Sequence, residues 1–302
     1  LNNNYILMAL ILIPAAQAIN LSFTSWRQIT SKPISFIIFN ITNAVLNFSI
    51  CLAFLNWGWG VEGRIYGILL ANLLMSIVAL ILFNKHIGRN ECVKENYIDR
   101  VIKDGSKLLP YSLSWWARFS LDRLLILSIL AAPDVAIFTS AGQYAMIVLI
   151  AGNILNQTFL PEIMKALKEC EQVNTPVALM KLFKLPAALL LCAFIGTNIL
   201  AVPFFEYIMD TKYSAAIHLV LPLTVVFFLQ ALTILFLNIL YYHEKYSLMS
   251  KITVLTSILH IGLSYTLIHT IGVWGAIIAA LISVLALFFI VLKITLSCIR
   301  NT

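Results

Sequence analysis

Residues 273–292 read VWGAIIAALISVLALFFIVL, twenty consecutive positions without a charged side chain. At 1.5 Å per residue a helix of that length spans about 30 Å, the thickness of the hydrocarbon core of a bilayer. A second apolar stretch, 248–269, ends just before it, so two helices of opposite direction meet in a short turn at Ile271-Gly272. Membrane strands are excluded, because the run is about twice the roughly 10 residues a barrel strand needs and does not alternate. Backbone groups in lipid must find partners within their own segment, which leaves the α-helix.

Reading outward from this hairpin (248–269 and 273–296), seven more apolar stretches follow the same pattern, at 5–26, 34–55, 64–83, 108–131, 135–160, 182–202 and 217–241. Composition agrees with an all-α integral membrane protein of about nine spans. Only 11% of the 302 residues are charged, against about 25% in a soluble domain, and mean hydropathy is +0.94.

Lysine and arginine gather in every second gap. Arg27 and Lys32 fill the first. Lys85, Arg89, Lys94, Arg100, Lys103 and Lys107 fill the third, Lys165, Lys168, Lys181 and Lys184 the fifth, and Lys245 and Lys251 the seventh. Lys293 and Arg300 close the chain, so that sixteen of its 20 basic residues lie on one side. The positive-inside rule makes that side cytoplasmic, with residue 1 outside and the C-terminus inside. The net charge of +7 is then a topology signal. It is no footprint for nucleic acid, since the charges sit in short loops and not on one surface. No positive segment precedes the first span as a cleaved leader requires. The five cysteines have no metal-ligand or disulfide spacing, and no metal site is expected.

The hairpin also has a counterpart. Gly60, Val61 and Gly63 repeat as Gly272, Val273 and Gly275 at a shift of 212, and Ser35, Leu46, Leu55 and Ile65 fall on Ser247, Ile258, Leu267 and Ile277. Equivalent helices are six spans apart, so the copies run the same way, as parallel repeats do. The complete repeat is a six-helix bundle over 108–302. The other, over 1–84, holds three helices, and the polar stretch 85–107 is expected to connect them in the cytoplasm. Three helices are therefore expected to be missing before residue 1; a natural nine-span protein is the alternative.

These elements resemble the multidrug/oligosaccharidyl-lipid/polysaccharide exporter superfamily, and within it the O-antigen flippases. The resemblance is carried by the hairpin from Gly58 to Gly67, by Leu121-Asp122-Arg123-Leu124-Leu125-Ile126-Leu127, by the span from Gln143-Tyr144-Ala145 to Phe159-Leu160-Pro161, and by Gly272–Gly275. Ala136 and Phe138 depart from the glycine and tyrosine such proteins often show. The resemblance implies two helical bundles around a central cavity in a bacterial inner membrane. It further implies an undecaprenyl-pyrophosphate-linked glycan, such as an O-antigen or lipopolysaccharide repeat unit, moved to the periplasmic leaflet. Other polysaccharide-assembly proteins are partners it allows. It implies no cofactor beyond a coupling ion, H+ or Na+.

Charges within the membrane are costly and face protein or water. Arg118, Asp122 and Arg123 lie well inside 108–131. Arg118 and Asp122 are four apart and share a helix face, as an internal salt bridge or as part of a cationic site for pyrophosphate. Neutral polar residues form further rows: Gln17 and Asn20 with Thr24, then Asn40, Asn43 and Asn47, then Asn153, Asn156 and Gln157, and finally Thr253, Thr256, His260 and Ser264. Such rows suit either sugar hydroxyls or interhelical hydrogen bonds. His260 is a proton-sensitive group or a hydrogen-bonded neutral one. Glu162, Glu206 and Asp210 are span-end residues or gate carboxylates.

A glycan flippase is the leading reading. The alternatives are a multidrug or cation exporter of the same fold and, from a different class, a membrane glycan polymerase or acyltransferase. No acid/base or metal constellation of the kind an enzyme needs is visible in the sequence. The topology has a direct test. Cysteines introduced in 84–107 and beyond 296 should react with a membrane-impermeant reagent from one face, and cysteines at 57–60 from the other; labelling of 84–107 and the C-terminal tail on opposite faces would overturn it.

Overall fold

The computed structural model describes residues 3–30, 33–86, 96–173 and 176–301. They form α1 (Asn3–Ile29), α2 (Pro33–Asn56), α3 (Gly60–His86), α4 (Asn96–Ile129), α5 (Ala132–Val173), α6 (Pro176–Tyr207), α7 (Ile217–Tyr242), α8 (Tyr246–Ile271) and α9 (Val273–Asn301), with a 3₁₀ turn at Thr211–Ala216. No strand occurs among the described residues. Almost the whole of each expected span falls inside one helix. Seven of these helices (α2, α3 and α5 to α9) are long and apolar enough to cross a bilayer. α4 is not among the seven, because Arg118, Asp122 and Arg123 interrupt its apolar stretch. Their outward faces carry Ile34, Ile41, Phe48, Ile199, Leu255 and Phe289, all exposed. A soluble monomer does not display so many large apolar side chains on so many helices; the chain is a multi-pass membrane protein.

The chain divides into two compact units, Leu1–Val93 and Lys94–Thr302. In the first, α3 packs along both α1 and α2, while α1 and α2 touch little. Phe23, Phe39, Met75 and Ala79 form its core. Polar groups reinforce the α1–α3 seam. Ser76 Oγ donates to the Ala16 carbonyl at 2.9 Å, and Asn20 Nδ2 donates to the Asn72 carbonyl at 3.2 Å. Small residues, Ala16, Ala71 and Ala79, let the helices approach closely enough for these bonds. Arg27, read from the sequence as a loop cation, is instead buried in the last turn of α1, its guanidinium 4.6 Å from the Trp26 ring centroid.

In the second unit α7 is the central helix, packed on α5, α6 and α9, with α8 against α9 and α4 against α8. α7 is apolar on all sides, as a helix buried by neighbours must be. Gly152 of α5 marks its closest approach, since an added Cβ would run into Ala231 of α7.

Two segments extend past the apolar stretches. α5 has 42 residues, about 63 Å of helix, roughly twice a hydrocarbon core. α4 begins at Asn96, so residues 96–107 of the expected connector are helical and belong to the second unit. Residues 87–95 lie outside the described residues, and so do Lys32, Arg89 and Lys94. The α4 extension is held by charge: Asp104 Oδ1 lies 2.8 Å from Lys107 Nζ, and Arg100 Nη2 lies 2.6 Å from Glu244 Oε1 in the α7–α8 turn. The Lys107 ammonium holds the Asp104 carboxyl below its usual range. Asp210 caps the 3₁₀ turn, accepting from the Lys212 backbone N–H at 3.2 Å. That bond, with the Lys212 ammonium 3.2 Å away, holds the Asp210 carboxyl below its ordinary value.

The two hairpins share a turn geometry. Gly60 and Gly272, equivalent by sequence, take φ of 53° and 64°, in the left-handed region that favours glycine. Gly63 and Gly275 are equivalent as well. A Cβ on Gly63 would lie 3.0 Å from the Phe54 Cβ, and one on Gly275 would collide with the Leu267 carbonyl group. Each glycine lets the second helix start directly against the end of the first. Gly275→Ala should therefore lower thermal stability in detergent by about 1–3 kcal/mol, as overpacking does. Gly262→Ala, whose Cβ meets nothing within 4 Å, should not; equal effects would contradict the close-approach role.

Candidate functional site

The polar residues picked from the sequence come together in two separate places, one in each unit. In the second unit, α4 carries Arg118 and Asp122 into the seam with α8 and α9. Both are buried, at 5% and 6% exposure. They do not form an ion pair with each other. Arg118 Nε donates to Ser257 Oγ at 2.8 Å. Asp122 Oδ1 accepts from Ser264 Oγ at 2.8 Å. His260 Nε2 lies 3.1 Å from the same carboxylate oxygen, in ion-pair range but outside hydrogen-bond geometry. Its Nδ1 lies 3.3 Å from Ser283 Oγ of α9. A carboxyl group this deep needs hydrogen-bonding partners of this kind.

Arg118, Asp122, His260 and Ser283 line a cavity of about 50 Å³ together with Arg123, Thr139, Gln230 and the rings of Phe119, Phe138 and Phe227. A water needs about 10–15 Å³, and a drug-sized ligand about 300 Å³ or more. The cavity thus has room for an ion or a few waters and excludes a sugar. Trp115 is stacked beside it, ring centroid 6.2 Å from that of Phe119, filling space between α4 and its neighbours.

The row on α8 therefore seals a helix seam. Ser264 and His260 meet α4, while Thr253 and Thr256 return their hydroxyls to their own helix, at 2.8 Å and 2.9 Å from the Met249 and Ile252 carbonyls. Three groups of this cluster escaped the sequence reading. Ser257 and Ser283 sit beside the α8 row and on α9. Gln230 is a buried amide, at 4% exposure, on an otherwise largely apolar helix, and that is the signal that was there to find.

The second place is in the first unit. Gln17 of α1, Asn40, Asn43 and Asn47 of α2, and Arg64 of α3 line one open groove of about 630 Å³ with Cys51. The i, i+3, i+7 spacing puts the three asparagines on one side of α2. Asn40 Nδ2 bonds the Phe36 carbonyl at 2.9 Å, and Asn47 Oδ1 lies 3.5 Å from Cys51 Sγ. Asn43 Oδ1 is buried without a hydrogen-bond partner among the described residues. The face of α2 about 140° away lines an apolar groove with Phe23, Ile38, Phe39, Leu46 and Met75.

Asn20 joins neither place, being spent on Asn72 and Ser76. Asn156 Oδ1 accepts from Asn238 Nδ2 at 2.5 Å, linking α5 to α7. Asn153 and Gln157 are exposed on α5, and Gln157 has a partner of its own.

With this geometry in hand, the likeness to known proteins can be read. No protein-family model matches the chain. It is 26% identical over 283 residues to Lsg locus putative protein 1 of Haemophilus influenzae, covering 90% of this chain and 69% of that protein. Its fold matches a multidrug resistance MATE family transporter of the MOP superfamily in an outward-facing conformation, with TM-score 0.72 and 17% identity. It matches a MATE structure in the straight conformation at TM-score 0.71 and 15% identity. Each alignment covers 94% of this chain and 67% of the solved one. The fold is that of the MATE transporters, and the chain spans about two thirds of their length.

The buried cluster makes a quantitative claim. Ser257→Ala and Ser264→Ala each remove a hydrogen bond to a buried charge, worth about 1.5–3 kcal/mol. Thr266→Ala, exposed on the same helix, should change stability by less than about 0.5 kcal/mol. Unfolding of the three variants in detergent checks the contrast, and indistinguishable midpoints would contradict it.

Proposed function

We propose that this chain belongs to a flippase that moves an undecaprenyl-pyrophosphate-linked oligosaccharide, of the O-antigen or capsule repeat-unit class, from the cytoplasmic to the periplasmic leaflet of a bacterial inner membrane. The observation that carries the reading is the amide groove, in which Gln17 of α1 gathers with Asn40, Asn43 and Asn47 of α2 and Arg64 of α3 around about 630 Å³. Amides offer both donors and acceptors, which is what sugar hydroxyls require. Arginine adds a planar fork suited to phosphate oxygens. The MATE-type fold supports the reading, since transporters built from repeats work by rocking them about a fixed site. In this mechanism the groove shields the hydrophilic head while the polyprenyl tail stays in lipid. Coupling to a proton or sodium gradient is part of the same proposal.

Multidrug export is the second reading, favoured by the solved neighbours, one of which is described as a multidrug resistance transporter. An organic cation calls for uncompensated carboxylates. Here the deep carboxylate, Asp122, is already engaged by Ser264 and His260 and stands near Arg118 and Arg123.

The two readings separate in proteoliposomes. With a fluorescent pyrophosphate-linked glycan as probe, Asn43→Leu with Asn47→Leu should slow leaflet transfer at least tenfold at equal protein level. Ethidium transport should be absent from the unmutated chain. Glycan transfer indifferent to both asparagines would remove the groove from the mechanism, and ethidium transport without glycan transfer would establish the rival.

A further inference from the structure

The small cavity of the second unit has an unbalanced lining. Arg118 is buried to 5% exposure, and its Nε is engaged by Ser257. Its Nη1 and Nη2, with their N–H groups, have no hydrogen-bond partner among the described residues, and neither do Thr139 Oγ1 and Gln230 Oε1. The Gln230 amide presents NH₂ in place of oxygen after a 180° flip, which leaves its shape unchanged. The charged groups facing the space are two guanidiniums, Arg118 and Arg123, and one carboxylate, Asp122, which already meets Ser264 and His260. The remaining lining is largely apolar, with Phe119, Phe138, Leu223 and Val226 among it.

One carboxylate cannot balance two guanidiniums, so Arg118 sits in an excess of positive charge, which is costly in largely apolar surroundings. Water satisfies its N–H groups but supplies no opposite charge, and charge interactions are strongest where the dielectric is low. The volume of about 50 Å³ excludes a sugar or a pyrophosphate-linked head group and admits a small ion. We propose that this cavity is a binding site for a small inorganic anion of halide size. Nη1 and Nη2 of Arg118 and the hydroxyl of Thr139 hold it, and Arg123 sets the sign of the field. The site lies wholly inside the second unit, and its residues are separate from the amide groove. It stands whether or not the chain moves a glycan.

The test uses the whole chain in lipid nanodiscs at fixed pH and ionic strength, with sodium gluconate exchanged for sodium chloride or bromide. Chloride and bromide should raise the thermal unfolding midpoint saturably, and gluconate should not. Arg118→Gln should abolish the halide response, Arg118→Lys should retain part of it, and Thr139→Val should weaken apparent affinity severalfold. Bromide-grown crystals should show an anomalous peak in the cavity. Equal responses to halide and gluconate, or a halide response untouched by Arg118→Gln and Thr139→Val, would overturn the site and leave a cavity filled by water alone. If Arg118→Gln does not fold, Thr139→Val and the bromide peak decide: an unchanged affinity with no peak overturns the proposal. Loss of glycan transfer alone has no bearing on it, because no reading in this experiment involves a glycan.

Discussion

A guanidinium and a carboxylate one turn apart cannot face hydrocarbon. α4 carries both, at Arg118 and Asp122, and the second unit is built to cover them. α8 supplies Ser257 to the first and Ser264 and His260 to the second, at 2.8–3.1 Å. α9 adds Ser283 behind His260. A largely apolar α7 then closes the space with Phe227 and the amide of Gln230. Because lipid offers the helices no hydrophobic reason to associate, such polar contacts and close small-residue packing fix which faces meet. The approach of Gly152 to Ala231 and of Gly275 to Leu267 shows the second of these at work.

The first unit uses the same vocabulary for another purpose. Its α1–α3 seam is locked by Asn20, Asn72 and Ser76, while α2 stands apart from α1. α2 therefore separates two grooves, one lined by amides and Arg64, the other by Phe23, Phe39 and Met75. A helix with a polar face and an apolar face at membrane depth suits a substrate whose head and tail have opposite chemistries. That is the physical basis of the flippase reading, and it does not depend on the small cavity of the second unit.

Much of this was legible in the sequence because a bilayer imposes strict rules on length and charge. Twenty uncharged residues followed by a lysine, as at 273–293, admit few structures. The Gly60/Gly272 equivalence survived to the level of backbone angle, since a tight turn needs a left-handed residue wherever it recurs. The rows of polar residues were visible, but their use was not. Asn20 and Asn43 have the same chemistry, and only packing distinguishes a residue locked in a seam from one facing a groove. Arg118 and Asp122 have the spacing of a salt bridge, yet each found a better partner on another helix, which no single-helix rule foresees. The polarity of 85–107 does not reveal that residues 96–107 are helical, although the pairs of Asp104 with Arg100 and Lys107, four and three residues apart, support a helix there.

The account turns on water reaching the asparagine face of α2 within the membrane. Single cysteines at Asn40, Asn43 and Asn47, and at Ile38 and Leu46 on the other face, in a chain otherwise free of cysteine, report this directly through their rate of reaction with a charged thiosulfonate. The asparagine positions should react, and Ile38 and Leu46 should react at least tenfold more slowly. Uniformly slow reaction on both faces would mean that the amides are buried in protein or lipid, and that no hydrated path for a glycan runs along this helix.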